Sequence, residues 1–156
     1  MTGLISSIYT KKMALFSLAA IFLIILDRVF KVWSKLVWSA KPQELTSWFH
    51  LTYSPNSSLA FSLPANQYFI LAVVIALFLI ITAVGLNKLR RQDYQAIWWL
   101  LIVLGAASNL LDRLLYGAVI DYLSVPWLTT FNLADGLITV GVAALVLQEL
   151  LPKNQK

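Results

Sequence analysis

Residues 67–86, QYFILAVVIALFLIITAVGL, run for twenty positions without one charged side chain. A helix needs about 20 mainly apolar residues to cross the hydrocarbon core of a bilayer. Helices satisfy their own backbone hydrogen bonds there, which other open structures cannot do. Three more segments reach that length, at about 13–33, 96–116 and 131–151, each carrying ionisable residues. Charged residues make up 12% of the 156 and the mean hydropathy is +0.77, whereas soluble domains carry about 25% charged residues. The expected fold class is an all-α membrane protein with four transmembrane helices, forming one domain over residues 1–156.

The first segment raises a second possibility. Its uninterrupted part, Met13 to Leu26, follows Lys11 and Lys12 and has the size of a signal-peptide core. Asp27 and Arg28 follow at once, without a small-x-small cleavage site, so a retained helix is expected. Lys11 and Lys12, then Lys88, Arg90 and Arg91, then Lys153 and Lys156 all fall on one side of a four-span chain. The positive-inside rule makes that side, with both termini, cytoplasmic. Lys31, Lys35 and Lys41 oppose this bias without reversing it.

The outer side receives two connections, about 34–66 and 117–130. In the longer one SWFHLTYS has strand composition, SLAFSL is its candidate partner and SPNS reads as the turn. A small β-hairpin or sheet at about 46–63, lying on the outer leaflet, is therefore expected. Trp33, Trp38, Trp48 and Trp127 are expected near that interface, where indoles favour the headgroup region.

Composition also excludes chemistry. There is no cysteine, which removes disulfides, thiolate metal sites and a cysteine nucleophile, and the single His50 rules out a multi-histidine cluster. No metal or other cofactor is expected. The net charge of +5 is spread beside apolar segments, so nucleic acid is not an expected partner; membrane lipids are.

The acidic residues are few. Glu44, Asp93 and Glu149 fall in loops or at the cytoplasmic side, while Asp27, Asp112, Asp121 and Asp135 lie in or near the outer half of the membrane. An aspartate at a helix centre costs about 2.5–3.5 kcal/mol on insertion scales, less toward the interface. Four together are expected to converge on one another and on cations. Asn109, Asp112, Arg113 and Tyr116 share one helical face, as do Asn132 with Asp135 and Asp27 with Lys31. Lys31 and Arg113 are the expected counter-ions. Plainer readings stand beside these. Asp27 with Lys31 serves as a buried pair orienting its helix, Asp112 with Arg113 as a structural pair, and Asp121 as a carboxylate snorkelling at a helix end. Ser108 with Lys31 is a weak candidate for a Ser-Lys dyad, and His50 reads as a surface polar residue.

The pattern resembles the bacterial signal peptidase II family, the membrane aspartyl proteases that process lipoproteins. DRVFK resembles its Asp-x-x-x-Lys element, and NSSLAFS stands in the place of Asn-x-Gly-Ala-Ala-Phe-Ser. GAASNLLDRLLYGAVIDY resembles the Asn-x-x-Asp-Arg and Val-x-Asp-Phe block, and FNLAD the Phe-Asn-x-Ala-Asp element. Ser58 replaces the family's glycine and Leu59 an alanine. The resemblance implies a catalytic dyad of Asp121 and Asp135. It implies supporting or substrate-positioning roles for Asn56, Asn109, Asp112, Arg113, Asn132, Asp27 and Lys31. It further implies a prolipoprotein substrate whose signal peptide is cut just before a diacylglyceryl-modified cysteine, in the inner membrane of a bacterium, by an enzyme acting as a monomer. Phe49, Tyr53 and Phe61 of the outer hairpin would then form a mobile cover. The alternatives are an inactive or divergent paralogue that binds precursors, and a small transporter passing protons or cations through the carboxylates.

Overall fold

The computed structural model describes residues 2–57 and 66–151. Helix α1 spans Thr2–Trp33 and runs on into a π-helical turn, Ser34–Trp38. Strands β1 (Gln43–Thr46) and β2 (Phe49–Asn56) follow, then α2 (Gln67–Arg90) and α3 (Ala96–Tyr116). Strands β3 (Val119–Val125) and β4 (Thr129–Phe131) lead into α4 (Leu133–Leu150). Among the described residues, four helices are long and apolar enough to cross a membrane.

The distribution of polarity is inverted relative to a soluble protein. Leu15, Leu18, Phe22, Leu79 and Ile80 are exposed, whereas Asp27, Asp112, Asn132 and Ser34 are 0% accessible. Apolar side chains cost nothing facing lipid, and the polar ones are collected where they can bond to one another. A smaller apolar cluster of Ala20, Leu101 and Leu137 packs α1, α3 and α4 beneath them.

Close approach of α3 and α4 depends on glycine. A Cβ on Gly105 would lie 2.6 Å from the Ala134 carbonyl oxygen, and one on Gly141 2.8 Å from that of Trp98. Gly117, at φ 73°, closes α3 in the left-handed conformation, its N–H bonded to the Arg113 carbonyl at 3.0 Å. The chain thereby turns back into β3.

All four strands form one antiparallel sheet in the order β1-β2-β3-β4, at the end of the bundle where α1 and α3 finish and α4 begins. The turn expected at SPNS is not there: Ser54, Pro55 and Asn56 continue β2 and pair with Asp121, Ile120 and Val119 of β3. The hairpin instead lies upstream, between β1 and β2. The candidate partner strand SLAFSL and Phe61 lie outside the described residues. Residues 117–130, expected as a plain connection, hold a strand pair whose partner in β2 is more than sixty residues away. Trp33, Trp48 and Trp127 are exposed, but Trp38 is buried.

Candidate active site

The site is assembled where α1, α3, β3 and α4 meet under the sheet. At its base is the Lys31 ammonium, buried and bonded to Asp27 at 2.9 Å, Asp112 at 2.7 Å, the Asn109 side-chain oxygen at 2.9 Å and Ser108 at 3.2 Å. Such a buried charge is tolerated only when its donors are met by acceptors, most of them anionic. Asp27 also accepts from the Ser108 hydroxyl at 2.6 Å, the Tyr122 hydroxyl at 3.1 Å and the Ala134 N–H at 3.2 Å. This one carboxylate thus ties α1 to α3, β3 and α4. Asp112 additionally accepts from Arg28 and from the Ile120 N–H, which fixes β3 to the end of α3.

On this base stand two further carboxylates. The Asn132 side-chain amide donates to Asp121 at 2.8 Å, while the Asn132 backbone N–H donates to Asp135 at 3.1 Å. Asn132 caps α4, accepting from the Asp135 N–H at 2.9 Å, so cap and carboxylate hold one another reciprocally. Asn109 donates to Asp135 at 2.7 Å and accepts from Asn132 at 3.2 Å. Asn56, across the sheet, donates to Asp121 at 3.3 Å. Between Leu51 and Ser54 β2 carries one more residue than β3 does opposite it, between Leu123 and Asp121. Such a bulge re-aims side chains beside active sites.

Burial, and next the neighbouring Asp135, raise the Asp121 carboxyl from its ordinary 3.8 to about 6, against the opposing pull of Asn56, Asn132 and Lys31. Asp121 is 2% accessible, whereas Asp135 is only half-buried. The pair therefore has one enclosed and one more open member.

Asp27, Lys31, Asn56, Asn109, Asp112, Asp121, Asn132 and Asp135 are all brought into this one network. Arg113 is not: among the described residues it pairs with none of the four carboxylates, and its Nε is buried without a partner. The second counter-ion is Arg28. It follows Asp27 by one residue and reaches Asp112 on the neighbouring helix, whereas Arg113, one residue past Asp112, forms no ion pair with it among the described residues. Tyr122 and Ser34 were also missed. Tyr122 is buried and joins Asp27 to the start of α4 through the Leu133 N–H at 3.1 Å. Its position beside Asp121 was a signal only once 119–125 was known to be a strand. Ser108 accepts from Lys31 and donates to the Asp27 carboxylate, an arrangement that satisfies a buried hydroxyl. Asp93, expected to be solvated, is half-buried and pairs with Lys88 at 2.9 Å.

The family model described as signal peptidase (SPase) II matches residues 19–151. A lipoprotein signal peptidase of Clostridioides difficile is 34% identical over 140 residues, covering 87% of this chain and 95% of that one. That of Synechocystis is 35% identical over 158 residues, covering 93% of each, and that of Geobacter sulfurreducens 42% identical over 118, covering 69% and 72%. A solved structure described as a bacterial membrane enzyme superposes with a TM-score of 0.76 at 21% identity, covering 90% of this chain and 95% of that one. It shares the fold.

Proposed function

The chain belongs to the signal peptidase II family, and from that premise we propose how its residues cut a peptide bond at a membrane. It is a multi-pass membrane protease that removes signal peptides from lipoprotein precursors. Asp121 and Asp135 are the catalytic pair, and the observation that carries this assignment is Asn132, which bonds to both carboxylates at once.

Two neighbouring carboxylates cannot both ionise easily, so they hold one proton between them. The ionised member takes a proton from water, whose oxygen attacks the scissile carbonyl. The protonated member donates to the carbonyl oxygen. Collapse of the tetrahedral intermediate passes a proton to the leaving amine, giving a carboxylate on the signal peptide and a free amine on the cysteine. Titrations near pH 6 belong to the pair rather than to either member. Asn109, Asn132 and Asn56 fix the carboxylates. Lys31, Asp27, Asp112 and Arg28 form the charged base that holds the elements together. Arg113 is a substrate-positioning residue, its buried Nε available to a substrate carbonyl.

The substrate enters sideways from lipid, its signal helix among the apolar helices and its diacylglyceryl cysteine next to the dyad. Both termini face the cytoplasm, since Lys11, Lys12, Lys88, Arg90 and Arg91 lie at the end opposite the sheet. The membrane is then the bacterial inner membrane and the sheet its outer face.

Cleavage by the purified protein in lipid bicelles tests this reading. A precursor bearing the diacylglyceryl cysteine should be cut immediately before it, and the unmodified precursor far more slowly. Binding of the precursor without cleavage would show a non-catalytic paralogue. Proton or cation flux in sealed vesicles without cleavage would show a transporter.

A further inference from the structure

Beside the catalytic pair, and sharing Arg28 and Lys31 with the charged base, lies a pocket of about 260 Å³ between α1, the π turn, β2 and the end of α3. Its polar lining is Arg28, Lys31, Lys35, Tyr53 and Tyr116. The cations outnumber their partners. Arg28 and Lys31 are paired with Asp27 and Asp112, whereas Lys35 has no carboxylate partner among the described residues. Its ammonium instead lies over the Tyr116 ring, 5.6 Å from the centroid. An open apolar trough of about 540 Å³ adjoins this pocket along the outside of α1, lined by Val29, Val32, Trp33, Leu36 and Val37. Arg28, Val32 and Leu36 belong to both. The two are thus one amphipathic site along residues 28–37, cationic on one side of this stretch and apolar on its exposed side.

We propose that this site holds an anionic phospholipid from the leaflet on the sheet side. Its phosphodiester sits between Arg28 and Lys35, and an acyl chain lies against Val32 and Leu36. Basic pockets between transmembrane helices bind such headgroups by the same combination of charge and apolar wall. Arg28 uses part of its five-donor fork on Asp112 and is a quarter exposed on the pocket side. A choline headgroup brings its own cation toward Arg28 and Lys35 and fits less well. The proposal also gives Lys35, a basic residue at the sheet end where the positive-inside rule disfavours one, a reason to be there. It does not depend on the peptidase reading.

Native mass spectrometry of the full chain tests it, with detergent micelles carrying phosphatidylglycerol and phosphatidylcholine of identical acyl chains in equal amounts. One phosphatidylglycerol per protein is expected to survive detergent removal in clear preference to phosphatidylcholine. Lys35→Gln should lower that preference about fivefold, the contribution of one basic residue near an anionic surface. Lys35→Arg should keep it. Leu36→Asn should weaken retention of both lipids. Free sn-glycerol 3-phosphate should not displace the lipid. Equal retention of the two lipids, an unchanged preference in Lys35→Gln, its loss in Lys35→Arg, unaltered retention in Leu36→Asn or displacement by glycerol 3-phosphate would each overturn the proposal. Lys35 is exposed and bonded to no element of the catalytic network, so Lys35→Gln should still cleave precursor in phosphatidylcholine bicelles.

Discussion

Asp121 occupies a position where a charge is costly, and that cost has a measurable sign. Burial and the neighbouring Asp135 push its carboxyl up from an ordinary 3.8 to about 6 in the fold. Folding therefore favours the protonated form. The stability this contributes is complete below pH 3.8 and is lost as the pH rises through 6. At pH 7.5 the protein carries a buried carboxylate it would be more stable without. Asp121→Asn is expected to unfold at a higher temperature than the wild type at pH 7.5, with the advantage vanishing near pH 4. An Asp121→Asn protein equally destabilised at both pH values would contradict this. Lys31 has the opposite character, because removing it leaves the buried Asp27 without a cation and Asp112 with Arg28 alone. Lys31→Met should lose about 3–5 kcal/mol of stability in a denaturant titration; a loss under 1 kcal/mol would show that the network does not depend on it. The residue types of this site were legible from the sequence, since polar groups in apolar helices are expensive and few. The identity of the second cation was not. Arg28 and Arg113 each follow an aspartate by one residue, and the choice depends on how α1 and α3 are rotated about their axes.

At the scale of elements, the geometry of the proposed dyad depends on how closely α3 approaches the first turn of α4. Gly105 meets the Ala134 carbonyl, one residue before Asp135. Gly105→Ala should separate the helices and cost about 1–3 kcal/mol, with a fall in kcat that exceeds any change in KM. Gly136 is the control: an added Cβ there meets nothing within 4 Å. Gly136→Ala should leave stability unchanged or raise it by up to about 1 kcal/mol. Thermal unfolding of both variants decides the matter, and equal destabilisation would mean that contact at Gly105 is not what limits the approach. Helix positions were the most legible part of the fold, because apolar length and composition determine them almost alone. The segment expected at 96–116 matches α3 at both ends, and that at 13–33 covers α1 except for its first eleven residues. The sheet was half legible. Strand composition showed in FHLTYS, but β3 is a buried, mixed segment, VIDYLSV, with no clean alternation. Pairing of β2 with β3 is a contact between distant segments, to which local composition gives no guide.

On the scale of the whole molecule, sidedness and catalysis are linked. In the proposed topology the basic residues at the far end of the bundle face the cytoplasm, and the sheet and the proposed dyad lie on the opposite side. The chain has no cysteine, so single introduced cysteines report sidedness cleanly. A cysteine at Trp127 should react with an impermeant maleimide added outside spheroplasts, and one at Arg91 only after lysis. The reverse pattern would invert the topology and put the reaction on the wrong face. The most direct test of the catalytic claim is the turnover of Asp121→Asn and Asp135→Asn on a diacylglyceryl-modified precursor, each checked for intact folding. Each variant should fall by at least about 10³-fold in kcat while still binding precursor, since neither half of a shared-proton pair works alone. Either folded variant cleaving within tenfold of the wild type would contradict the dyad.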